Sequence, residues 1–136
     1  MEPMLLDSLA KLYPLCKRFL LNTPWQSREI TGTQRLCLLT LEGQGTMTMT
    51  LLADAMACSR EQATRAVAPL VEHGYVRRNY DQDNRTRVWV ELTDQGRQLL
   101  RQEYAAAVEE LHKLSPEERK RLRAAVRDIG ELLEKR

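Results

Sequence analysis

The spacing of apolar residues changes at Gly74, and this change limits the folds open to the chain more than any other feature. Before Gly74 the apolar residues recur every three or four positions, as on one face of a helix: Ala63, Ala66, Val67, Leu70 and Val71. After Gly74 they alternate with polar residues, as in half-buried strands: Val76, Val88, Val90 and Leu92. Polar turn residues at 81–84 separate two alternating runs. The pattern predicts a helix followed directly by a β-hairpin.

Two strong helix-start signals precede this hairpin. Thr31 with Gln34, and Ser59 with Gln62, have the form of capping boxes, in which side chains satisfy free backbone amides at a helix start. The helix that opens at Thr31 is predicted to end at Gly43. The helix that opens at Ser59 is the one that leads into the hairpin.

Further signals place the remaining elements, and the best helix-start signal in the chain is Ser115-Pro116-Glu117-Glu118, with a Ser cap, Pro at the first helical position and Glu at the third. Residues 46–49 predict a very short strand, and Thr48 or Thr50 caps the short helix after it. Thr93 and Ser115 cap two helices that follow the hairpin. Two short helices joined by a tight turn and followed by a hairpin define a winged helix-turn-helix.

Amphipathic helices are predicted at both ends of the chain. The first covers about residues 5–21 and carries a stripe of apolar side chains: Leu5, Leu9, Leu12, Cys16 and Phe19. Pro14 lies inside it, so this helix is either kinked or begins near Pro14. The last helix carries a similar stripe: Leu122, Val126, Ile129 and Leu133.

Composition argues against several classes of protein. Lys and Arg number 21 against 19 Asp and Glu, so the net charge of +2 permits nucleic-acid binding without arguing for it. No apolar run reaches the about 18 residues of a membrane span, and no signal peptide is recognisable. Three widely spaced cysteines fit a reducing compartment. We therefore expect a cytoplasmic, non-membrane protein without a metal or cofactor, and an enzyme is poorly supported.

The helix that opens at Ser59 carries side chains suited to DNA. Arg65 lies opposite its apolar face, where a guanidinium can form two hydrogen bonds with a guanine edge. Gln62 can pair similarly with adenine. Ser59 and Thr64, with the free amides of the first turn, suit phosphate. We expect the first half of this helix to enter the major groove.

Arginines cluster on the hairpin, at Arg77, Arg78, Arg85 and Arg87. A guanidinium at a hairpin tip can enter the narrow minor groove, where the negative potential of DNA is strongest. Asp83 lies two residues before Arg85 and is expected to hold its side chain in place. The hairpin is therefore interpreted as a DNA-contacting wing.

Residues 30–97 resemble the MarR family, the multiple-antibiotic-resistance type of winged-helix regulators. The resemblance rests on an ordered set of short motifs: Ile30-Thr31 then Gln34, Leu52-Ala53, Thr64-Arg65 then Val67, Leu70, Gly74-Tyr75-Val76 then Arg78, Asp83 then Arg85, and Leu92-Thr93 then Gly96. It implies one mainly α (α+β) domain over residues 1–136. In that domain a winged helix-turn-helix lobe with a two-stranded hairpin wing covers 30–97, and N- and C-terminal dimerisation helices cover 1–29 and 98–136.

The resemblance also implies a function. Family members are homodimers that bind a pseudo-palindromic double-stranded DNA operator, with half-sites about 10 bp apart. They usually repress transcription until a small, often aromatic, effector or an oxidant weakens DNA binding. The residues expected to contact DNA here are Thr48, Ser59, Arg60, Gln62, Thr64, Arg65, Arg78, Arg85 and Arg87.

Two departures from the family pattern leave an alternative open. Asn84 stands where the family often has a second wing arginine. Pro69 lies inside the DNA-contacting helix and removes the amide that would bond the Arg65 carbonyl. Together with the weak net charge, these departures keep open a winged helix that binds another protein and no longer binds DNA.

Cys16, Tyr13 and Trp25 carry further alternatives. Organic-hydroperoxide sensors of the family have a reactive cysteine after a leucine in the first helix, which makes Cys16 a candidate redox residue and the chain a candidate redox-sensing regulator. Because Cys16 lies on the apolar stripe, we favour a packing role in the core, as for Cys37 and Cys58. Tyr13 and Trp25 either line a pocket for an aromatic effector or pack in a dimer interface.

Overall fold

The computed structural model of the protein describes residues 2–22 and 30–134. These residues form six helices and three strands. The helices are α1 (Glu2–Asn22), α2 (Gly32–Gln44), α3 (Met49–Ala55), α4 (Arg60–Glu72), α5 (Asp94–His112) and α6 (Pro116–Glu134). The strands are β1 (Met47–Thr48), β2 (Val76–Tyr80) and β3 (Val88–Leu92). The predicted fold class, a mainly helical winged helix-turn-helix, is confirmed.

Side-chain caps start the helices at the predicted positions. At α2 the Thr31 hydroxyl accepts a hydrogen bond from the Gln34 amide at 3.2 Å, and the Gln34 side chain accepts one from the Thr31 amide at 3.0 Å. Ser115 makes the same reciprocal arrangement with a glutamate at the start of α6. Single caps start α3 at Thr48 and α5 at Thr93. Each cap satisfies an amide that has no partner within its helix and stabilises the fold by about 1 kcal/mol.

Two details of the helices differ from or refine the prediction. α2 does not end at Gly43, because Gly45 is the residue with a positive φ of 81°, and its amide donates to the Leu41 carbonyl at 2.8 Å. The first helix runs continuously through Pro14, so it does not begin there.

The hairpin and the short strand form one antiparallel sheet in the order β1-β3-β2. Within the hairpin, Val76 lies opposite Leu92. β1 pairs with the other edge of β3, where Met47 lies opposite Val90. The predicted two-stranded wing therefore gains a third strand at its base, which ties it to the start of α3.

The core surrounds α4. The predicted apolar face of this helix is buried, through Ala63, Ala66, Val67 and Leu70. Its neighbours from α2, α3, the sheet and α5 are at most 2% exposed: Leu38, Leu41, Leu52, Val76, Val90 and Leu100. The predicted packing roles of two cysteines are confirmed, since Cys37 is buried in this core and Cys58 packs against it. Burial raises the pKa of Cys37 to about 12, so this thiol stays neutral.

Apolar side chains of α1 and α6 remain exposed in the single chain. α1 packs mainly on α2, which leaves Cys16 exposed. The prediction that Cys16 packs in the core is therefore wrong for the single chain. α6 has no buried residue, and Val126 on its apolar stripe is 61% exposed. None of the described helices is long and apolar enough to cross a membrane.

Gly96 lets α5 start against the backbone of Tyr75, just before β2. A Cβ atom at Gly96 would collide with the Tyr75 carbonyl oxygen and would lie 3.2 Å from Leu92 Cδ2. Because the backbone must move to relieve this overlap, Gly96→Ala should lower the free energy of unfolding by about 1–3 kcal/mol. Urea denaturation followed by circular dichroism measures the change.

Gly43→Ala is the matched control for that experiment. Gly43 is also helical, and nothing lies within 4 Å of a Cβ atom there. Since alanine favours helix over glycine, this variant should keep the wild-type stability or gain up to about 1 kcal/mol. Equal stability of the two variants would contradict the close contact at Gly96.

Candidate nucleic-acid interface

α4 presents polar side chains on the side opposite the core. It begins at the predicted capping box, where Ser59 Oγ accepts a hydrogen bond from the Gln62 amide at 3.1 Å. It continues through Pro69, although this residue lacks the amide that would bond the Arg65 carbonyl. Arg65 is exposed, as the apolar spacing predicted.

The side chains of Gln62 and Thr64 were expected to contact DNA, but both already form hydrogen bonds within α4 and its cap. Gln62 Oε1 accepts hydrogen bonds from the Ser59 amide at 3.0 Å and the Ser59 hydroxyl at 3.2 Å. A bidentate contact with adenine needs Oε1 together with Nε2, so the cap and the base compete for one oxygen. Thr64 Oγ1 donates its only proton to the Arg60 carbonyl at 2.8 Å, and a phosphate would need the same proton.

Arg65 is the cation of α4 that is available to a partner. No hydrogen bond or ion pair joins it to any other residue that the structure describes. It lines a groove of about 270 Å³ between α4 and the start of α2, together with Gln62, Thr31 and Thr33. Sequence spacing gave no sign of this proximity, because α2 and α4 meet only through the tertiary fold. The groove adds threonine hydroxyls beside the predicted base-contacting arginine.

Asp81, and not Asp83, organises the wing. Asp81 Oδ1 accepts a hydrogen bond from the Asp83 amide at 2.9 Å. Its Oδ2 accepts one from Trp89 Nε1 at 3.3 Å and lies 3.5 Å from Arg87 Nη1. Within residues 2–22 and 30–134, no ion pair joins Asp83 to Arg85. The expected support of Arg85 by Asp83 is therefore wrong. The carboxylate that holds the wing together is that of Asp81, which bonds to Trp89 of β3 and pairs with Arg87.

These contacts favour the ionised form of Asp81. The hydrogen bond from the Asp83 amide and then that from the Trp89 indole lower the pKa of Asp81 below its usual value, and Arg87 adds a smaller effect. Because the folded-state pKa is depressed, the contribution of this carboxylate to wing stability is present above the usual aspartate pKa. It is lost progressively as the pH falls from that value through the lower folded-state pKa.

The four wing arginines differ in what they contact. Arg77 pairs with Glu91 across the hairpin at 3.0 Å, and Arg87 pairs with Asp81 at 3.5 Å. Arg85 is exposed, Arg78 is half-buried, and neither bonds to another described residue. Arg85 is therefore the wing cation best placed to contact a partner.

Tyr80, the last residue of β2, is a wing residue that the sequence pattern did not single out. It is 65% exposed, and with Asp81, Gln82 and Arg85 it lines an open cavity of about 590 Å³. A phenol beside a free guanidinium offers a partner both an aromatic face and a hydrogen-bonding group. An exposed aromatic side chain at a hairpin end is the signal that could have identified it.

A cleft of about 230 Å³ brings together three of the predicted contacts at the junction of α3, α4 and the wing. Thr48, Arg60 and Arg87 line it, together with Thr50 and Thr86. Thr48 Oγ1 serves as the cap of α3, and Arg60 Nη2 donates to the Thr86 carbonyl at 2.8 Å. The fold thus gathers residues that are distant in sequence, but several of their polar groups already bond to the protein itself.

The residues predicted for an effector pocket or a redox centre belong to the N-terminal part of the chain. Cys16 and Tyr13 lie on α1, where Tyr13 is 68% exposed. Trp25 lies outside the described residues. Among the residues that are described, no group of three or more His, Cys, Asp or Glu side chains could hold a metal ion.

Asp81→Ala should disorder the wing, because it removes the acceptor shared by the Asp83 amide and the Trp89 indole. The chain has two tryptophans, so in a Trp25→Phe background the fluorescence reports Trp89 alone. We expect red-shifted emission and stronger acrylamide quenching for Asp81→Ala. Asp83→Ala removes the same charge from the same turn and should leave both signals unchanged. Equal shifts in the two variants would show that Asp81 has no special role.

Sequence comparison connects this geometry to known proteins. The sequence profile of the MarR family matches residues 30–88, which run from just before α2 to the start of β3. YfiV of Bacillus subtilis (strain 168), an uncharacterized HTH-type transcriptional regulator, is 25% identical over 114 residues. That match covers 81% of this chain and 71% of YfiV.

Solved structures share the fold over nearly the whole chain. A MarR family transcriptional regulator from Streptomyces coelicolor, solved in complex with DNA, has a TM-score of 0.69 at 24% identity and covers 97% of this chain and 90% of that one. BpsR of Bordetella bronchiseptica, whose DNA binding is regulated by 6-hydroxynicotinic acid, has a TM-score of 0.70 at 21% identity and covers 93% and 98%. The family profile lies over the helix-turn-helix and the wing as far as the start of β3, so in residues 30–88 the chain is similar to the MarR family of transcriptional regulators.

Proposed function

We propose that the chain is a sequence-specific DNA-binding repressor that works in the cytoplasm as a homodimer. One observation carries the proposal. α4 and the wing each present an exposed arginine, Arg65 and Arg85, that bonds to no other described residue. The match of residues 30–88 to the MarR family profile, and the shared fold with a MarR family regulator solved in complex with DNA, support the same function.

The two arginines have different tasks in this proposal. Arg65 enters the major groove and forms two hydrogen bonds with a guanine edge, which reads sequence. Arg85 reaches the minor groove, where its charge adds affinity that depends little on sequence. Arg78 and Arg87 neutralise phosphates at the wing, and Ser59 and Thr48 bring the first amides of their helices to the DNA backbone. Gln62 contacts a base only where the base takes the place of Ser59 as the hydrogen-bond donor to Gln62 Oε1.

Substitution of the two arginines should therefore have different effects. Arg65→Ala should cost about 1–3 kcal/mol of binding free energy and relax the sequence preference at one position of each half-site. Arg85→Ala should weaken binding to all sequences and reduce the slope of log affinity against log salt by about 1 for each half-site. Fluorescence anisotropy with duplexes that the wild-type protein selects from a random-sequence pool, at two salt concentrations, measures both effects.

Lys113→Ala is the control, because it removes one positive charge from the turn after α5, away from α4 and the wing. It should leave affinity and salt slope unchanged. If neither arginine variant differs from this control, the proposed contacts are wrong. Weak binding by the wild type that does not depend on salt would instead favour a winged helix that binds a protein partner.

The homodimer is proposed from the apolar faces that the single chain leaves uncovered. On the apolar stripe of α1, Leu5 is 55% exposed and Phe19 is 36% exposed. On the stripe of α6, Val126 and Leu133 are 61% and 47% exposed. Contiguous apolar faces of this kind mark association sites in proteins that dissolve in water. A second copy that covers them makes residues 1–29 and 98–136 the dimerisation region and leaves residues 30–97 of each copy for one operator half-site.

Val126→Glu should separate the dimer, because it places a charge in the centre of the covered face. Lys120→Glu is the matched control, since it introduces the same side chain on the opposite side of α6. Sedimentation equilibrium should show a monomer for Val126→Glu and a dimer for Lys120→Glu. A wild-type protein that sediments as a monomer, or a Val126→Glu variant that stays dimeric, would contradict the proposed interface.

Regulation by a small aromatic effector is also part of the proposal. It is supported by BpsR, a protein of the same fold whose DNA binding is regulated by 6-hydroxynicotinic acid. Tyr13 and Trp25 are the proposed effector contacts. An effector bound beside α1 would act by changing how the two copies are placed, because α1 lies on the face assigned to the dimer.

A further inference from the structure

Arg60 lies at the N-terminus of α4, a position where the helix dipole does not favour a positive charge. The Arg60 carbonyl accepts a hydrogen bond from the Thr64 hydroxyl at 2.8 Å, so the backbone at this position is held to the helix. The guanidinium extends to the wing instead of serving α4.

The group that Arg60 contacts on the wing is itself fixed. Arg60 Nη2 donates to the Thr86 carbonyl at 2.8 Å, across 26 residues of sequence. Asn84 Oδ1 accepts from both the Thr86 amide at 3.1 Å and the Thr86 hydroxyl at 2.6 Å. The Arg87 amide donates to the Asn84 carbonyl at 3.0 Å. The acceptor of Arg60 is therefore held in a hydrogen-bonded turn.

This contact completes a path from the sheet to α4. Trp89 on β3 donates to Asp81, and the Asp81 amide donates to the Arg87 carbonyl at 3.0 Å, which closes the wing loop. From that loop, the Arg60 bond is the one side-chain hydrogen bond to α4 among the described residues. Without it, the loop that carries Arg85 is joined to α4 only through the base of the hairpin.

We propose that Arg60 is a positioning residue that fixes the wing loop to α4 and so sets the separation between Arg65 and Arg85. The inference rests on the proposed DNA-binding function for its consequence, and it replaces the expectation that Arg60 itself contacts DNA. It also gives Asn84 a role, since this departure from the family pattern holds the carbonyl that Arg60 binds.

Hydrogen–deuterium exchange of the DNA-free protein tests the contact itself. Arg60→Met keeps the apolar stem and removes every donor, and Arg60→Lys keeps a donor and the charge. Arg60→Met should speed exchange of the Asp83 and Thr86 amides several-fold and leave the α2 amides unchanged as an internal control. Arg60→Lys should restore most of the protection. Wild-type exchange rates in the wing of Arg60→Met would overturn the proposal.

A double-mutant cycle with Arg85→Ala tests the consequence, using duplexes selected by the wild type from a random-sequence pool. If Arg60 acts by placing Arg85, Arg60→Met should weaken binding several-fold in the wild-type background and have no effect in the Arg85→Ala background. Costs that add would show that Arg60 contacts DNA directly and would overturn the positioning role. A wild type that selects no duplex would overturn the proposed function, and the exchange experiment alone would then decide whether Arg60 fixes the wing.

Discussion

The buried face of α4 fixes the direction of every side chain on its other side. Ala63, Ala66, Val67 and Leu70 pack against α2, α3 and the sheet, so the helix cannot rotate about its axis without exposing them. Burying one Val or Leu side chain stabilises the fold by about 1.5–3 kcal/mol, which exceeds what a surface hydrogen bond contributes. At about 3.6 residues per turn, this packing alone turns Arg65 outward.

Most polar side chains that were expected to contact DNA already have a partner within the protein, which a DNA group must replace. Gln62 caps the helix, Thr64 bonds to the Arg60 carbonyl, and Arg87 pairs with Asp81. Exposed hydrogen bonds of this kind are worth about 1 kcal/mol, so exchanging one for a contact with DNA yields little net free energy. Residue types alone therefore overstate the number of strong DNA contacts. The arginines without internal partners are the ones that a partner can bind without such a loss.

What could be predicted from the sequence was whatever depends on neighbours in the chain. The capping boxes at Thr31 and Ser59 depend on residues three positions apart, and the core face of α4 depends on helical spacing, so both were found. The role of Asp81 could not be predicted from the sequence, because it depends on how the hairpin brings Trp89 close to the end of β2. The exposure of Cys16 was also missed, because an apolar stripe shows that a face is covered without showing what covers it.

α5 links the two parts of the chain, and this has a consequence for regulation in the proposed dimer. Leu99 and Leu100 at its start are buried in the winged-helix core, while Val108 near its end is 41% exposed on the face assigned to the partner copy. Between them, the buried Glu103 attracts Arg35 of α2, and this attraction opposes the lowering of the Arg35 pKa by burial. A shift of α5 at the dimer face must therefore carry α2, α4 and the wing together. If Arg60 keeps the wing fixed to α4, such a shift changes the spacing between the two half-site contacts and leaves each contact surface intact.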